Sequence, residues 1–133
     1  TGAVCFQNLT ALGPLSAEQV AERQAGCAVF VAPSLYEPFG LAVLEAAQLG
    51  RPLVLSDLPT FRELWDGAAA FFPAGDADAL AAAVNGVLAD ARERERLGAA
   101  ALERSARYTA EAMVEGTLAA YRRLVRAPAE VAA

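Results

Sequence analysis

The sequence predicts an α/β fold with a Rossmann-like parallel sheet and flanking helices. Three observations carry that prediction. Short, continuously apolar runs recur at residues 28–32, 52–56 and 68–72. Stretches with helix caps or helical spacing separate them, and glycine or proline punctuates nearly every junction. A strand apolar at every position is covered on both faces, as parallel strands under helices are. Strands joined through helices form right-handed βαβ units.

Taken in order, residues 3–6 and 10–13 are expected as two short strands, the second ended by Gly13 and Pro14. Ser16 and Gln19 have the spacing of a capping box, so a helix opens there, runs to about Gln24 and stops near Gly26. Residues 28–32, bounded by Gly26 and Pro33, form a buried strand. Helix resumes at about Gly40 and ends at Gly50, and residues 52–56 are the next strand. Pro59 suits the first turn of a short helix over 59–65, closed by Asp66 and Gly67. Residues 68–72 make the third buried strand. Asp76 caps a helix over 77–88, with Leu80, Val84, Val87 and Leu88 at helical spacing.

From Asp90 the character changes. Residues 91–106 are helical, and the alternation of Arg92, Glu93, Arg94, Glu95 and Arg96 predicts a solvated face laced with ion pairs. Thr109 caps a last helix whose apolar positions are Met113, Leu118, Tyr121, Leu124 and Val125. The last two helices either close the domain or pack on a neighbour. Residues 1–126 are thus expected as one partial Rossmann-like domain and 127–133 as a flexible tail.

Composition narrows the functions. The 133 residues suffice for one domain with a core. No apolar run approaches the roughly 18 residues of a membrane span, and no signal-peptide pattern opens the chain, so a cytoplasmic setting is expected. The missing initiator Met and the few strands suggest that the chain opens mid-domain. The formal charge is −5, and all 11 basic residues are arginines. Net acidity argues against general nucleic-acid binding. Without His or Lys, neither a Ser-His-Asp triad nor a Walker-type phosphate lysine can be built, and no metal site is expected. Cys5 and Cys27 read as two buried free thiols rather than a disulfide or metal pair.

The functional candidate is the stretch 34–47. It leaves a strand end, where open α/β sheets bind ligands, and delivers Gly40 and Leu41 to the first turn of a helix. There the backbone N–H groups are unpaired and the helix dipole favours an anion. Gly40 permits close approach of a phosphate, and Pro38 stiffens the loop. Glu37 precedes the helix and Glu45 lies five residues into it, roughly 7.5 Å along the axis. Carboxylates on both sides of an anion site are placed to accept hydrogen bonds from hydroxyls. A nucleotide diphosphate sugar presents that sequence of groups.

The whole string sharpens this. Residues 37–46, Glu-Pro-Phe-Gly-Leu and three further residues before Glu-Ala, resemble the signature of retaining glycosyltransferases of the GT-B family 4. The resemblance extends through residues 28–34, 50–56, 58–64 and 76–83, and covers about residues 10–125, the second half of that family's C-terminal, donor-binding domain. It implies that Glu37 contacts the donor sugar and was the candidate catalytic residue. It implies that the amides of Phe39, Gly40 and Leu41 hold the distal phosphate and sugar, and that Glu45 binds the ribose hydroxyls. No cofactor or metal is implied, only a nucleotide sugar as donor. Arg51 is expected to be solvated, while Arg62 and Glu63 have no assigned role, although Glu63 aligns with a frequent glutamate of the family.

One departure matters. The family neutralises the diphosphate with an Arg and a Lys upstream of this segment, and this chain has no Lys. The acceptor-binding N-terminal domain is likewise not in this sequence. Alone, the chain is expected to be inactive and to hold donor weakly. Competing readings are a non-catalytic nucleotide-binding or interaction module on the same fold, a flavodoxin-like signalling domain, for which the expected lysine is missing, and a GT-B epimerase, whose motifs differ.

Overall fold

The structure is a computed structural model that describes residues 8–126. Nine elements follow one another: α1 (Ala17–Gly26), β1 (Phe30–Ala32), α2 (Leu41–Gln48), β2 (Leu53–Ser56), α3 (Pro59–Trp65), β3 (Ala69–Phe72), α4 (Ala77–Ala89), α5 (Ala91–Ser105) and α6 (Ala110–Arg126). Local chemistry sets most of the boundaries. The Ser16 hydroxyl accepts from Gln19 N while the Gln19 side chain accepts from Ser16 N, closing the capping box of α1. Asp76 Oδ1 accepts from Ala79 N, and Asp90 Oδ1 accepts from Arg92 N and Glu93 N. Pro59 occupies the first turn of α3, where a missing N–H costs nothing.

The three strands form a parallel sheet in the order β1-β2-β3. Val54 pairs with Val31 on one side and Ala70 on the other. β2 is buried at every position, as a central strand between two helical layers must be. Alternation along it divides the core. Leu53 and Leu55 pack with Val43, Leu44, Phe61 and Trp65 under α2 and α3. Val54 packs on the opposite face with Phe72, Val87 and Leu97, under α4. Helix α5 spans both clusters, with Leu97 in one and Ala101 in the other. It reaches the end of α2 through Gly98, where a Cβ would stand 2.5 Å from the Gly50 carbonyl oxygen, so only glycine fits.

Not every expectation carries over. The run at residues 10–13 is not a strand. Leu12 remains exposed there, and Gly13 takes a left-handed φ of 68°, which extended backbone does not. The strand expected at 3–6 and the tail at 127–133 lie outside the described residues. Finally, the apolar positions of α6 do not join the core. Met113, Leu118, Tyr121, Leu124 and Val125 are all exposed, and no residue of α6 from 110 to 125 is buried. Among the described residues no helix is long and apolar enough to cross a membrane.

Candidate functional site

All three strands point their carboxyl ends the same way, so the loops after Ala32, Ser56 and Phe72 gather at one edge of the sheet. Leu35 Cδ2, in the first loop, lies 3.9 Å from where a Cβ on Gly75 would be, in the third. The second loop leads directly into α3. The stretch 33–40 is therefore fixed from two sides before it enters α2.

Gly40 is the N-cap of α2, at φ 88° and ψ 62°, in the left-handed region. A Cβ there would lie 2.9 Å from Phe61 Cε1 and 3.3 Å from Val43 Cγ2. The glycine thus answers two local demands, the backbone turn and the Phe61 ring beneath it. The first helical bond is Leu44 N to Gly40 O at 3.0 Å. No side chain caps the helix and no acidic residue stands in its first turn, and the N–H groups of residues 41–43 have no intrahelical partners. They form the positive end of the α2 dipole.

Glu37 is half-buried, and its Oε1 accepts from Gly40 N at 3.0 Å. Its carbonyl oxygen accepts from Thr60 Oγ1 of α3 at 2.7 Å. Phe39 packs on the core and meets the Tyr108 ring edge-on, with centroids 5.8 Å apart. Leu41 is largely exposed at the mouth of α2. Glu45 is also exposed, and lines a groove of about 470 Å³ between α1 and α2 with Leu15, Val20, Gln24 and Leu49. Gln24 Nε2 donates to Ala42 O at 3.3 Å and ties the two helices together. Glu37 thus stands before the helix on its α3 side, and Glu45 lies more than a turn into α2 on its α1 side.

Arg62 and Arg51 are both occupied. Arg62 donates from Nε to Asp57 Oδ1 at 2.6 Å, from one terminal nitrogen to Asp57 Oδ2 at 2.9 Å and from the other to Asp66 Oδ1 at 3.1 Å. Its guanidinium stacks 3.9 Å over the Phe71 ring. The hydrogen bonds from Arg62 hold the Asp57 carboxyl below the usual carboxylate range, and those from Asp57 and Asp66 raise the guanidinium further above its own. Arg51 was expected to be solvated. It donates instead to the carbonyls of Leu49 at 2.9 Å, Ala25 at 3.0 Å and Cys27 at 3.4 Å, because it leaves the end of α2 beside the end of α1. Glu63 is exposed on α3. Sequence reasoning passed over Thr60 and Phe61 as site residues. The available signal was a lone hydroxyl and an aromatic in the first turn of a helix that starts at a strand's carboxyl end.

Residues 7–104 match the family described as Glycosyl transferases group 1. The chain is 33% identical over 113 residues to O-antigen chain mannosyltransferase B of Escherichia coli, covering 85% of this chain and 30% of that protein. It is 39% identical over 104 residues to a phosphatidyl-myo-inositol mannosyltransferase of Mycolicibacterium smegmatis, covering 76% of this chain and 27% of the relative. Among solved structures, sucrose-phosphate synthase from Thermosynechococcus elongatus superposes with a TM-score of 0.78 at 33% identity, over 87% of this chain and 30% of that one. The sheet and its helices match part of a GT-B glycosyltransferase fold. The chain thus spans about 30% of the length of these relatives. With the greater part of its residues matched, the chain belongs to the glycosyl transferases group 1 family.

Proposed function

We propose that this chain is the donor-binding part of a retaining glycosyltransferase that moves a sugar from a nucleotide diphosphate sugar to an acceptor. The observation that carries the reading is the α2 N-terminus, which has no side-chain cap and has Glu37 bonded to its N-cap amide. An uncapped helix mouth suits the donor's phosphates. On this reading the amides of Phe39, Gly40 and Leu41 take the distal phosphate and sugar. The Gly40 amide already donates to Glu37 Oε1, so a phosphate there shares or takes over that bond. Glu37 then turns its carboxylate to the donor sugar's hydroxyls, and Glu45, in its groove beside α1, accepts from the ribose hydroxyls.

In the transfer the bond from the sugar's anomeric carbon to the diphosphate oxygen breaks, and the electron pair leaves with the diphosphate. The acceptor oxygen forms the new bond to that carbon and gives its proton to the departing diphosphate. The helix mouth contributes by holding the leaving group where its negative charge grows. The rest of the whole protein supplies the acceptor site and the cations that neutralise the diphosphate, since this chain holds no Lys and Arg62 is paired with Asp57.

The test is calorimetry of the whole protein with UDP, GDP and ADP, followed by two variants. One nucleotide is expected to bind. Glu45→Ala should weaken it by about tenfold or more, the loss of a charge-assisted hydrogen-bond acceptor. Glu37→Ala should leave nucleotide affinity within about twofold and cut turnover by a hundredfold or so. If none of the three nucleotides binds, the donor reading fails. If both variants match the parent, the residue assignments fail.

A further inference from the structure

We propose that Thr60 is a positioning residue for Glu37, acting through that residue's carbonyl. This deepens the donor-site reading and rests on it for its effect on turnover. The hydroxyl of Thr60 lies in the first turn of α3, and Ser and Thr side chains commonly bond to backbone groups of their own segment. Here it does not. Helix α3 has Leu58 at its N-cap and no side-chain cap bond. The Thr60 Oγ1 donates instead across the loop to Glu37 O, at 2.7 Å in a part-buried setting. Thr60 is itself half-buried.

The connection continues beyond that bond. Glu37 turns its carboxylate back to Gly40 N at 3.0 Å, and Phe61, the next residue of α3, lies directly under Gly40. Two successive residues of one helical turn thus grip both ends of the segment that opens α2. Phe61 is wholly buried in the core beside Leu53 and Leu55 of β2, so the grip is anchored to the centre of the sheet. Removal of the hydroxyl leaves the Glu37 carbonyl without its partner and frees the backbone that aims the carboxylate. Since positioning errors of an ångström cost up to about a hundredfold in rate, a partial loosening should cost roughly tenfold.

Thr60→Val keeps the shape and deletes the donor, Thr60→Ala is the smaller hydroxyl-free variant, and Thr60→Ser keeps the hydroxyl. The first measurement needs no ligand. The Gly40 amide proton, bonded to the Glu37 carboxylate, is followed by NMR across an acid titration of the whole protein. Thr60→Val is expected to move its shift and blunt its pH response, and Thr60→Ser to restore both. The second measurement is turnover with the donor identified by nucleotide screening. A fall of about tenfold in kcat is expected for Thr60→Val, with donor KM and nucleotide affinity within about twofold, and recovery in Thr60→Ser. An unchanged Gly40 amide and unchanged turnover in Thr60→Val overturn the proposal. If both hydroxyl-free variants lose the folded state, Thr60 is a folding residue and the proposal is also overturned. If the parent binds no nucleotide and turns over no donor, the function proposed above fails, while the Gly40 amide still decides whether Thr60 positions Glu37.

Discussion

Gly40 shows how one residue can be needed for two separable reasons. A ligand-binding argument asks for glycine so that an anion can reach the backbone. The fold asks for it independently, through a φ of 88° and a Phe61 ring 2.9 Å from where a Cβ would stand. The two demands have different consequences for Gly40→Ala. A left-handed alanine costs about 1–2 kcal/mol, and displacing a wholly buried aromatic adds an overpacking cost of similar size, about 1–3 kcal/mol. A destabilisation of about 3 kcal/mol is therefore expected in urea unfolding, read as a lower midpoint at unchanged slope. A variant as stable as the parent would mean that the Phe61 ring moves aside freely. In that case the α3 grip on the loop is weaker than the contacts indicate.

At the scale of elements, caps and breakers made the helices legible: Ser16 with Gln19, Pro59, Asp76 and Thr109 each stand where the structure begins a helix. The three strands were legible as apolar runs, but trimmed by one or two residues because pairing, not hydrophobicity, sets their ends. The candidate site was legible as a stretch, since a loop leaving a strand and entering a helix is a local pattern. Its support was not, because Thr60 lies 23 positions from Glu37. The arginines were opaque for the same reason. Arg51, Arg94 and Arg104 donate to carbonyls at the ends of helices: Leu49 and Ala25, Leu88, and Leu64 with Asp66. The expected ion-pair face on α5 contains the Glu93–Arg96 bridge at 2.6 Å, but Arg94 is turned to a carbonyl. Across the junction of β2 and α3, Arg62 binds Asp57 and Asp66. Because Asp57 is held below its usual pKa in the folded chain, the bridge stabilises above the unfolded carboxylate value and is lost as pH falls through the lower, folded one. The melting temperature should thus decline below about pH 4. Asp57→Asn should melt lower at pH 7 and decline less steeply in acid. Parallel curves for the two proteins would mean that solvent screening cancels this exposed bridge.

Across the whole molecule, burial is steeply uneven. β2 lies at the centre, with every residue buried and a helical layer on each face. α6 lies at the other extreme: 17 residues of helix with none buried from 110 to 125 among the described residues, and with Met113, Val114, Leu118, Tyr121, Leu124 and Val125 exposed. Its first turn is secured, since Thr109 Oγ1 accepts from Ala112 N at 3.1 Å. Beyond that turn it depends on intrinsic propensity, which is marginal in water at this length, and Gly116 weakens it further. Opening free energies follow this gradient. Amide hydrogen exchange of the 133-residue chain should find the β2 amides the slowest, exchanging only through global unfolding. The amides from Gly116 to Arg126 should exchange within about tenfold of an unstructured peptide. Protection of α6 comparable to that of β2 would show instead that its apolar face is covered in solution. Repeating the measurement across a hundredfold range of protein concentration then tells self-association, which is concentration-dependent, from packing within one chain, which is not.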